Sequence, residues 1–506
     1  MRIINKTAGG SNYSNLLLPL LSAVLLIAAF PPFEQGYMAW FALLPLIGSS
    51  LQANPLYALR AGFIFGIPLN LYLNFYLATV LFPYLPTPLN LVAMILLVLY
   101  LSLFYGLFTV TVSLVQRLGH VWFTALAIPA LWLCMEYLRS FSFIAYNVGY
   151  LGYSQWSYTY LLNIVSSYGY WGLPFIMLLF QSILMFSLRR GLHRTKLIIP
   201  AVVFFILLGC GLVLPSLQPL HETDEQLTVG LIQGNSDPET VIRGEKAALV
   251  DHHIKLTQQA FDQNPAITLI VWPETVVDLD LGKEEIHPAA MLQKSEELAV
   301  NFLYGARVRD GEKLFNSIAL IDAGHDPVSL YHKQRLVPFV EYFPLEDLLN
   351  RMLKLQLLLG SYSVGEEITI FYSDEIPLAG VICFESYFGD HTRLFAAAGS
   401  RHLFVLTNDA WFGESIGLDQ HAQVAAIRAA EMGIGVTQVA NSGITISFDY
   451  QGHELFRSGK NESAVFTLPL NLTTRNTLYR RYGDYFPVFW ALFLLCAIPA
   501  LIIYKA

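Results

Sequence analysis

Charge is scarce in this sequence: Asp, Glu, Lys and Arg make up 13% of the 506 residues, about half the share usual in a soluble domain. With 55% of the residues hydrophobic, the composition excludes an ordinary water-soluble chain and is that of a membrane protein. Acids are rarer still in the first part. Residues 1 to 215 hold only Glu34 and Glu136 against nine Lys or Arg, a net +7, whereas the remaining 36 acids and 21 bases give −15. Two chemically different regions therefore meet near Pro215. Of the four cysteines, Cys134, Cys210 and Cys496 sit in apolar runs, which argues against a disulfide framework and leaves Cys383 as the lone thiol of the acidic portion. Internal repeats, low-complexity tracts, a phosphate-binding glycine loop and paired-cysteine metal motifs are all missing. His252, His253 and His421 have no spacing that completes a ligand set, so neither metal nor cofactor is expected. No nucleic-acid partner is expected of a chain with net charge −8.

What is present in abundance is long apolar sequence. Runs able to cross about 30 Å of hydrocarbon lie near residues 16–33, 36–52, 61–82, 88–115, 121–138, 161–188 and 197–214, and an eighth runs from Tyr485 to Tyr504. About eight transmembrane helices are expected, the first an uncleaved anchor rather than a removed leader. Basic residues mark cytoplasmic ends, and they fall in alternate connections: Arg2 and Lys6, Arg60, Arg117, then Arg189, Arg190, Arg194 and Lys196. With a cytoplasmic amino terminus, seven crossings put residues 216–484 outside, and the last helix, within 485–506, returns the chain. Arg475, Arg480 and Arg481, just before that span, are the exception. The connection from Arg139 to Tyr160 carries Phe141, Phe143, Tyr146, Tyr150, Tyr153, Trp156 and Tyr158, which reads equally as an aromatic belt or as a lipid-gripping arm.

From Leu227 to about Leu470 the pattern changes. Leu227 to Ile232, Ile267 to Trp272, Ile318 to Ile321, Leu378 to Cys383 and Leu403 to Thr407 read as buried strands, with helical stretches near 239–263, 286–299, 390–399 and 419–432. Such alternation indicates an α/β layer fold.

Three segments join a strand end to a reactive side chain. In Trp272-Pro273-Glu274-Thr275, Pro273 is expected to stop the strand and leave Glu274 at its carboxyl end. Tyr331-His332-Lys333-Gln334-Arg335 opens a loop that reaches Glu341. Gly380-Val381-Ile382-Cys383-Phe384-Glu385-Ser386 delivers Cys383 to a turn. A thiol needs a base to ionise it and a cation to hold the thiolate, and an acyl intermediate needs donors for its oxyanion; Glu274, Lys333 and Cys383 supply those roles. Taken singly, a Glu or Lys is usually a solvated surface group and a Cys after a strand is usually inert packing.

In this order and local setting the three resemble the nitrilase superfamily, which carries a Glu, Lys, Cys triad on an αββα sandwich. The membrane-embedded apolipoprotein N-acyltransferases are the branch most similar, on YHKQRLVPFVEYFP (331–344), ICFES (382–386), TNDAWFG (407–413), QH (420–421), RAAE (428–431), NSG (441–443), EYLR (136–139) and LGYSQ (151–155). The resemblance implies Glu274 as general base, Lys333 as stabiliser of the tetrahedral intermediate and Cys383 as a nucleophile that becomes a thioester. It implies a nearby carboxylate in Glu341, which orients Lys333, assists proton transfer, or simply pairs with Arg335 or Lys333. Glu385 is expected to fix the loop. Trp411, Phe412 and Tyr387 are expected to bind substrate, with plain buried aromatics as the bland alternative. The partners implied are a phospholipid acyl donor and a diacylglyceryl lipoprotein acceptor in the bacterial inner membrane, the catalytic domain being periplasmic and the protein a monomer. Two other readings remain: a membrane-tethered amidase or nitrile hydrolase in which water resolves the thioester, and a transporter or receptor carrying an inactive α/β domain.

Overall fold

The computed structural model describes residues 12–51, 53–81, 87–141, 144–189, 191–236, 246–283, 286–322, 325–338, 340–342 and 362–505. Outside them lie Arg2, Lys6, Phe143, Arg190, the start of the helix expected from residue 239, and Phe339, Phe343 and Pro344 of the 331–344 motif. The chain divides into two compact units, Met1–Leu217 with Tyr482–Ala506, and Gln218–Arg481.

The first unit is helical. Eight spans are expected from the apolar runs, but among the described residues five helices are long and apolar enough to cross a membrane: Pro55–Asn74, Thr87–Gln116, Val121–Arg139, Arg194–Leu217 and Tyr485–Tyr504. A sixth is counted if Thr159–Tyr168 and Gly172–Ser187, bent by 108°, form one span. Gly169 makes that bend, its φ of 70° suiting a residue without Cβ. The first two expected spans are shorter pieces. Asn12–Ile27 ends ahead of Pro31-Pro32, and the next run breaks into Gly36–Trp40 and Leu44–Ser50, because proline removes a donor and clashes with the preceding turn. Pro55–Asn74 and Thr87–Gln116 approach closely where Gly62 meets Gly106; a Cβ on Gly62 would stand 2.5 Å from the Gly106 Cα, which is why small residues serve at such crossings.

Part of the aromatic connection is turned into the helical unit. Tyr150 and Tyr153 are buried and pack at a tilt against Tyr170, and only Phe141 among those described is strongly exposed. The reason is electrostatic, since Glu136 and Arg139 are buried at a helix end and must be satisfied internally. Glu136 accepts from Leu151 N at 3.1 Å and from Tyr170 Oη at 3.0 Å. Arg139 donates to Val148 O at 3.3 Å and lies 4.4 Å from the centre of the Tyr150 ring.

The second unit is a two-sheet sandwich. Its strands are β1 (Leu220–His221), β2 (Gln226–Gln233), β3 (Leu269–Asp280), β4 (Asn301–Asp310), β5 (Lys313–Asp322), β6 (His325–His332), β7 (Phe371–Ser373), β8 (Ile376–Ile382), β9 (His402–Thr407), β10 (Gly435–Ala440), β11 (Ile446–Phe448), β12 (Glu454–Arg457), β13 (Ala464–Asn471) and β14 (Thr474–Arg475). One sheet has the order β13-β2-β3-β4-β5-β6 and the other β12-β11-β10-β9-β8-β7, with β1 and β14 paired separately. The sheets meet face to face through β2, β3 and β5 against β8, β9 and β10. Helices Lys246–Gln263 and Ala289–Leu298 cover the first sheet, packing with Trp272, Phe302 and Tyr304, while Gly389–Ala397 and Gly417–Met432 cover the second. Buried on both faces, the parallel strands β8 and β9 are continuous apolar runs, as such strands must be. Arg475, Arg480 and Arg481, the exceptions to the charge bias, belong to this unit.

Candidate active site

Proline at 273 does not end its strand. β3 continues to Asp280, but its pairing with β4 jumps from Trp272 opposite Tyr304 to Val277 opposite Ala306. Residues 273 to 276 thus bulge opposite Gly305 alone. Proline cannot donate to a ladder, so a bulge is where a strand tolerates it. The bulge lifts Glu274 out of the pleat, and Thr275 takes a φ of 56°. Gly305 is required beside it, since a Cβ there would stand 2.5 Å from both the Glu274 Cα and the Pro273 O.

Glu274 is buried. Its Oε1 accepts from Asn316 Nδ2 at 2.8 Å and its Oε2 from the Asn408 backbone N–H at 2.9 Å. Lys333, at the end of β6 and 1% exposed, points its Nζ at Glu341 Oε1 (2.9 Å) and Glu274 Oε1 (3.8 Å). Asn316 Nδ2 also donates to Glu341 Oε1 at 2.9 Å, and Glu341 Oε2 accepts from Val337 N at 2.8 Å. Two carboxylates therefore converge on one ammonium and one amide. Of the two ion-pair partners open to Glu341 in the sequence it takes Lys333, while Arg335 pairs with Asp390 at 3.0 Å. Burial raises the Glu274 pKa, with the neighbouring Glu341 adding to it and Lys333, Asn316 and the Asn408 N–H opposing. For Lys333 burial alone would lower the pKa, yet Glu341 and Glu274 overcome it and hold the ammonium above its ordinary range.

Cys383 opens the turn Cys383–Tyr387 that follows β8 and is partly exposed. Burial of its thiol, then the charges of Glu274 and Asp409, push its pKa well up, against Lys333 and a Thr407 hydrogen bond that lower it. At rest the thiol is therefore neutral, and around Glu274 the donors favour the carboxylate form against the burial that opposes it. Glu385, fully buried, ties this turn to the lysine loop: its Oε1 accepts from Tyr331 Oη (2.7 Å), Gln334 N (2.8 Å) and Arg335 N (3.1 Å), its Oε2 from Ile382 N (2.8 Å). Burial raises its pKa, but His391, Lys333 and the Ile382 N–H outweigh that and leave it below the usual carboxylate range.

Tyr387 is buried with its ring stacked on His421, centroids 5.5 Å apart. Trp411 and Phe412 stand partly exposed in the turn Asp409–Phe412. Asn316 and the pairing of Asp409 with His421 join the site only in the folded chain. The polar pair Asn316-Ser317 inside the otherwise apolar stretch Leu314 to Ile321 is the available signal for Asn316. Cys383, Asp409 and His421 bring an S, an O and an N ligand atom within 4.8 Å of one another. Asp409 hydrogen-bonds His421 and accepts from Thr407, while the other nitrogen of His421 faces the Cys383 backbone carbonyl.

This geometry belongs to a carbon–nitrogen hydrolase unit, joined here to a helical apolar one. The family model for carbon–nitrogen hydrolases matches residues 228–477, and that for the apolipoprotein N-acyltransferase N-terminal domain matches residues 22–183. The apolipoprotein N-acyltransferase of Geobacter metallireducens is 29% identical over 504 residues, covering 97% of this chain and 95% of that protein. That of Methylococcus capsulatus is 29% identical over 506 residues, covering 95% and 94%. Among solved structures, Saccharomyces cerevisiae Nit3 of the nitrilase superfamily is 15% identical with a TM-score of 0.36, covering 54% of this chain and 94% of that one. The chain belongs to the apolipoprotein N-acyltransferase family, a branch of the carbon–nitrogen hydrolases. Its apolar helices and this family membership mark it as a membrane protein.

Proposed function

We propose that this protein transfers an acyl chain from a membrane phospholipid to the terminal α-amino group of a diacylglyceryl-cysteine on an apolipoprotein, through a thioester on Cys383. The observation that carries this reading is the convergence of the buried Glu274, Glu341 and Lys333, in a chain whose relatives are named apolipoprotein N-acyltransferases over nearly their whole length; the charges of Glu274 and Lys333 also act on the Cys383 thiol, in opposite directions.

In the first step Glu274 takes the thiol proton as sulfur attacks the ester carbonyl, a general-base role for a group raised toward neutral pH. A pre-formed thiolate is unnecessary, since the thiol pKa is high. The S–C bond forms, Lys333 and nearby donors meet the oxyanion, the ester C–O bond breaks, and the proton on Glu274 leaves with the lysophospholipid. In the second step the acceptor amine attacks the thioester, its N–C bond forms as the C–S bond breaks, and sulfur recovers its proton. Glu341 keeps Lys333 oriented, Glu385 keeps the thiol turn against the lysine loop, and Trp411, Phe412 and Tyr387 provide apolar surface for substrate. Both substrates are lipid-anchored, and extracting a chain costs about 0.8 kcal/mol per methylene, which supports tethering the site to membrane helices. The alternation of basic connections supports a bacterial inner-membrane protein with residues 216–484 on the periplasmic side.

The test is to incubate purified protein with acyl-labelled phospholipid and map the hydroxylamine-sensitive label. Label on Cys383, absent from Cys383→Ala and discharged by a lipopeptide without further phospholipid, is expected. Undiminished labelling of Cys383→Ala removes this residue from the mechanism, and discharge by water alone at the same rate turns the reading into that of a hydrolase.

A further inference from the structure

The nucleophile's backbone is held in a conformation it would not choose. Cys383 has a φ of 51°, in the left-handed region that a residue with a Cβ disfavours. Its carbonyl is turned toward His421 Nε2, 3.2 Å away. His421 lies on the helix Gly417–Met432 and is buried, and its Nδ1 is 2.9 and 3.0 Å from the two oxygens of Asp409. Asp409 is sealed from solvent and also accepts from Thr407 Oγ1 at 2.7 Å. Tyr387 covers the imidazole face with its ring at an angle of 8°.

A carbonyl only accepts a hydrogen bond, and so does a carboxylate. Facing one of each, the imidazole must carry a proton on both nitrogens. A neutral ring that accepted instead from Ser386 Oγ, 3.1 Å from Nε2, would aim its lone pair at the Cys383 oxygen. Burial works against the charged ring, but Asp409 and the Cys383 carbonyl outweigh it and move its pKa up. Already protonated, His421 has no free nitrogen to receive the thiol proton, although Cys383, His421 and Asp409 contain the residue types of a Cys-His-Asp relay.

We infer that His421, charged and braced by Asp409, is a positioning residue that clamps the Cys383 carbonyl and so fixes the left-handed turn that presents the thiol, without itself acting as the base. This rests on the reading of Cys383 as the acylated nucleophile. The clamp is one charge-assisted hydrogen bond, whose loss corresponds to roughly 10- to 100-fold in the rate at which Cys383 is acylated.

Two near-isosteric variants separate the ring's nitrogens. His421→Gln keeps a donor where Nε2 reaches the carbonyl, whereas His421→Asn keeps one only on the Nδ1 side, toward Asp409. The full-length protein in detergent is given acyl-labelled phospholipid, and the rate of label appearing on Cys383 is followed together with the thermal midpoint. Expected are an acylation rate within about tenfold of the parent for Gln and a loss near 100-fold for Asn, with similar midpoints for the two. Equal losses in both, a smaller loss in Asn, or a Gln variant as inactive as Glu274→Gln overturns the inference. Failure of the parent protein to label Cys383 at all is a different result, which sinks the nucleophile reading beneath it.

Discussion

Replacing Gly305 by Ala probes the geometry of the site without touching any reactive group. Gly305 is on β4, opposite the bulge that carries Glu274, and its φ is not among the positive ones, so alanine is acceptable to its own backbone. The added methyl would lie 2.5 Å from the Glu274 Cα and Pro273 O and 2.7 Å from the Thr275 N. These are backbone atoms, which cannot rotate away as a side chain does. Ordinary contact needs about 3.4 Å or more, so the bulge must retreat by roughly 1 Å. Glu274 is held by bonds of 2.8 Å to Asn316 and 2.9 Å to Asn408 N, and a retreat of that size breaks or misdirects both. Overpacking costs about 1–3 kcal/mol of stability, while a 1 Å misplacement of a reacting group costs on the order of 100-fold in rate. The expected outcome is a folded protein with a modestly lower thermal midpoint, a Cys383 that iodoacetamide still alkylates, and acylation slowed about 100-fold. The assay is the rate of acyl-enzyme formation from labelled phospholipid, read beside the melting curve. Acylation within twofold of the parent would refute the claim that the Gly305 contact positions the base, and a loss wholly explained by unfolding would leave Gly305 with a packing role only.

Glu274→Gln should stop acylation, because an amide cannot accept the thiol proton. In the parent, Glu274 must be ionised to act, and burial raises its pKa from the ordinary 4.5, so the acid limb of kcat/KM should fall above pH 4.5; near-normal turnover of the variant, or a limb at or below that value, excludes Glu274 as base. Lys246 is buried, donates to Thr275 O and lies 3.9 Å from Asp278, and burial, partly offset by Asp278, lowers its pKa from 10.5 to about 8. Between these values the unfolded chain holds the extra proton, so stability from this group rises with pH: the thermal midpoint of the parent should gain on that of Lys246→Met between pH 7.5 and 9.5, and a constant difference would contradict the shift. A reporter active only outside the cytoplasm should work when fused near Asp310 and fail near His193, the reverse result inverting the topology.

Much of this protein is legible in one dimension, and the reasons are local. Scarce charge and long apolar runs predict membrane helices because hydrocarbon tests each residue for itself. Strands β2, β8 and β9 declare themselves as β-branched runs, since a strand buried on both faces has no polar side to interrupt it. Glu274, Lys333 and Cys383 could be picked out as candidates because each sits in a distinctive short segment. Other elements stayed hidden. The second expected span reads as one apolar run although Pro45 divides it into Gly36–Trp40 and Leu44–Ser50, and β12 and β13, with partly exposed residues, carry no strong period. Pro273 predicts a strand end but marks a bulge, because a proline states only what the chain cannot do locally; whether the strand resumes depends on β4 and Gly305, 32 residues away. The same holds for Asn316, which is an unremarkable polar residue until folding brings Glu274 and Glu341, 42 and 25 positions distant, to its one amide nitrogen. It holds again for His421, whose two nitrogens acquire partners 12 and 38 residues away. Sequence by itself determined the solvent each region must inhabit and the chemical types available to the site. Tertiary structure alone decided which carboxylates share the ammonium and which hydrogen bonds hold the thiol, because hydrogen bonds and pKa shifts act over a few ångströms of space, and only the packed fold converts separations along the chain into that distance.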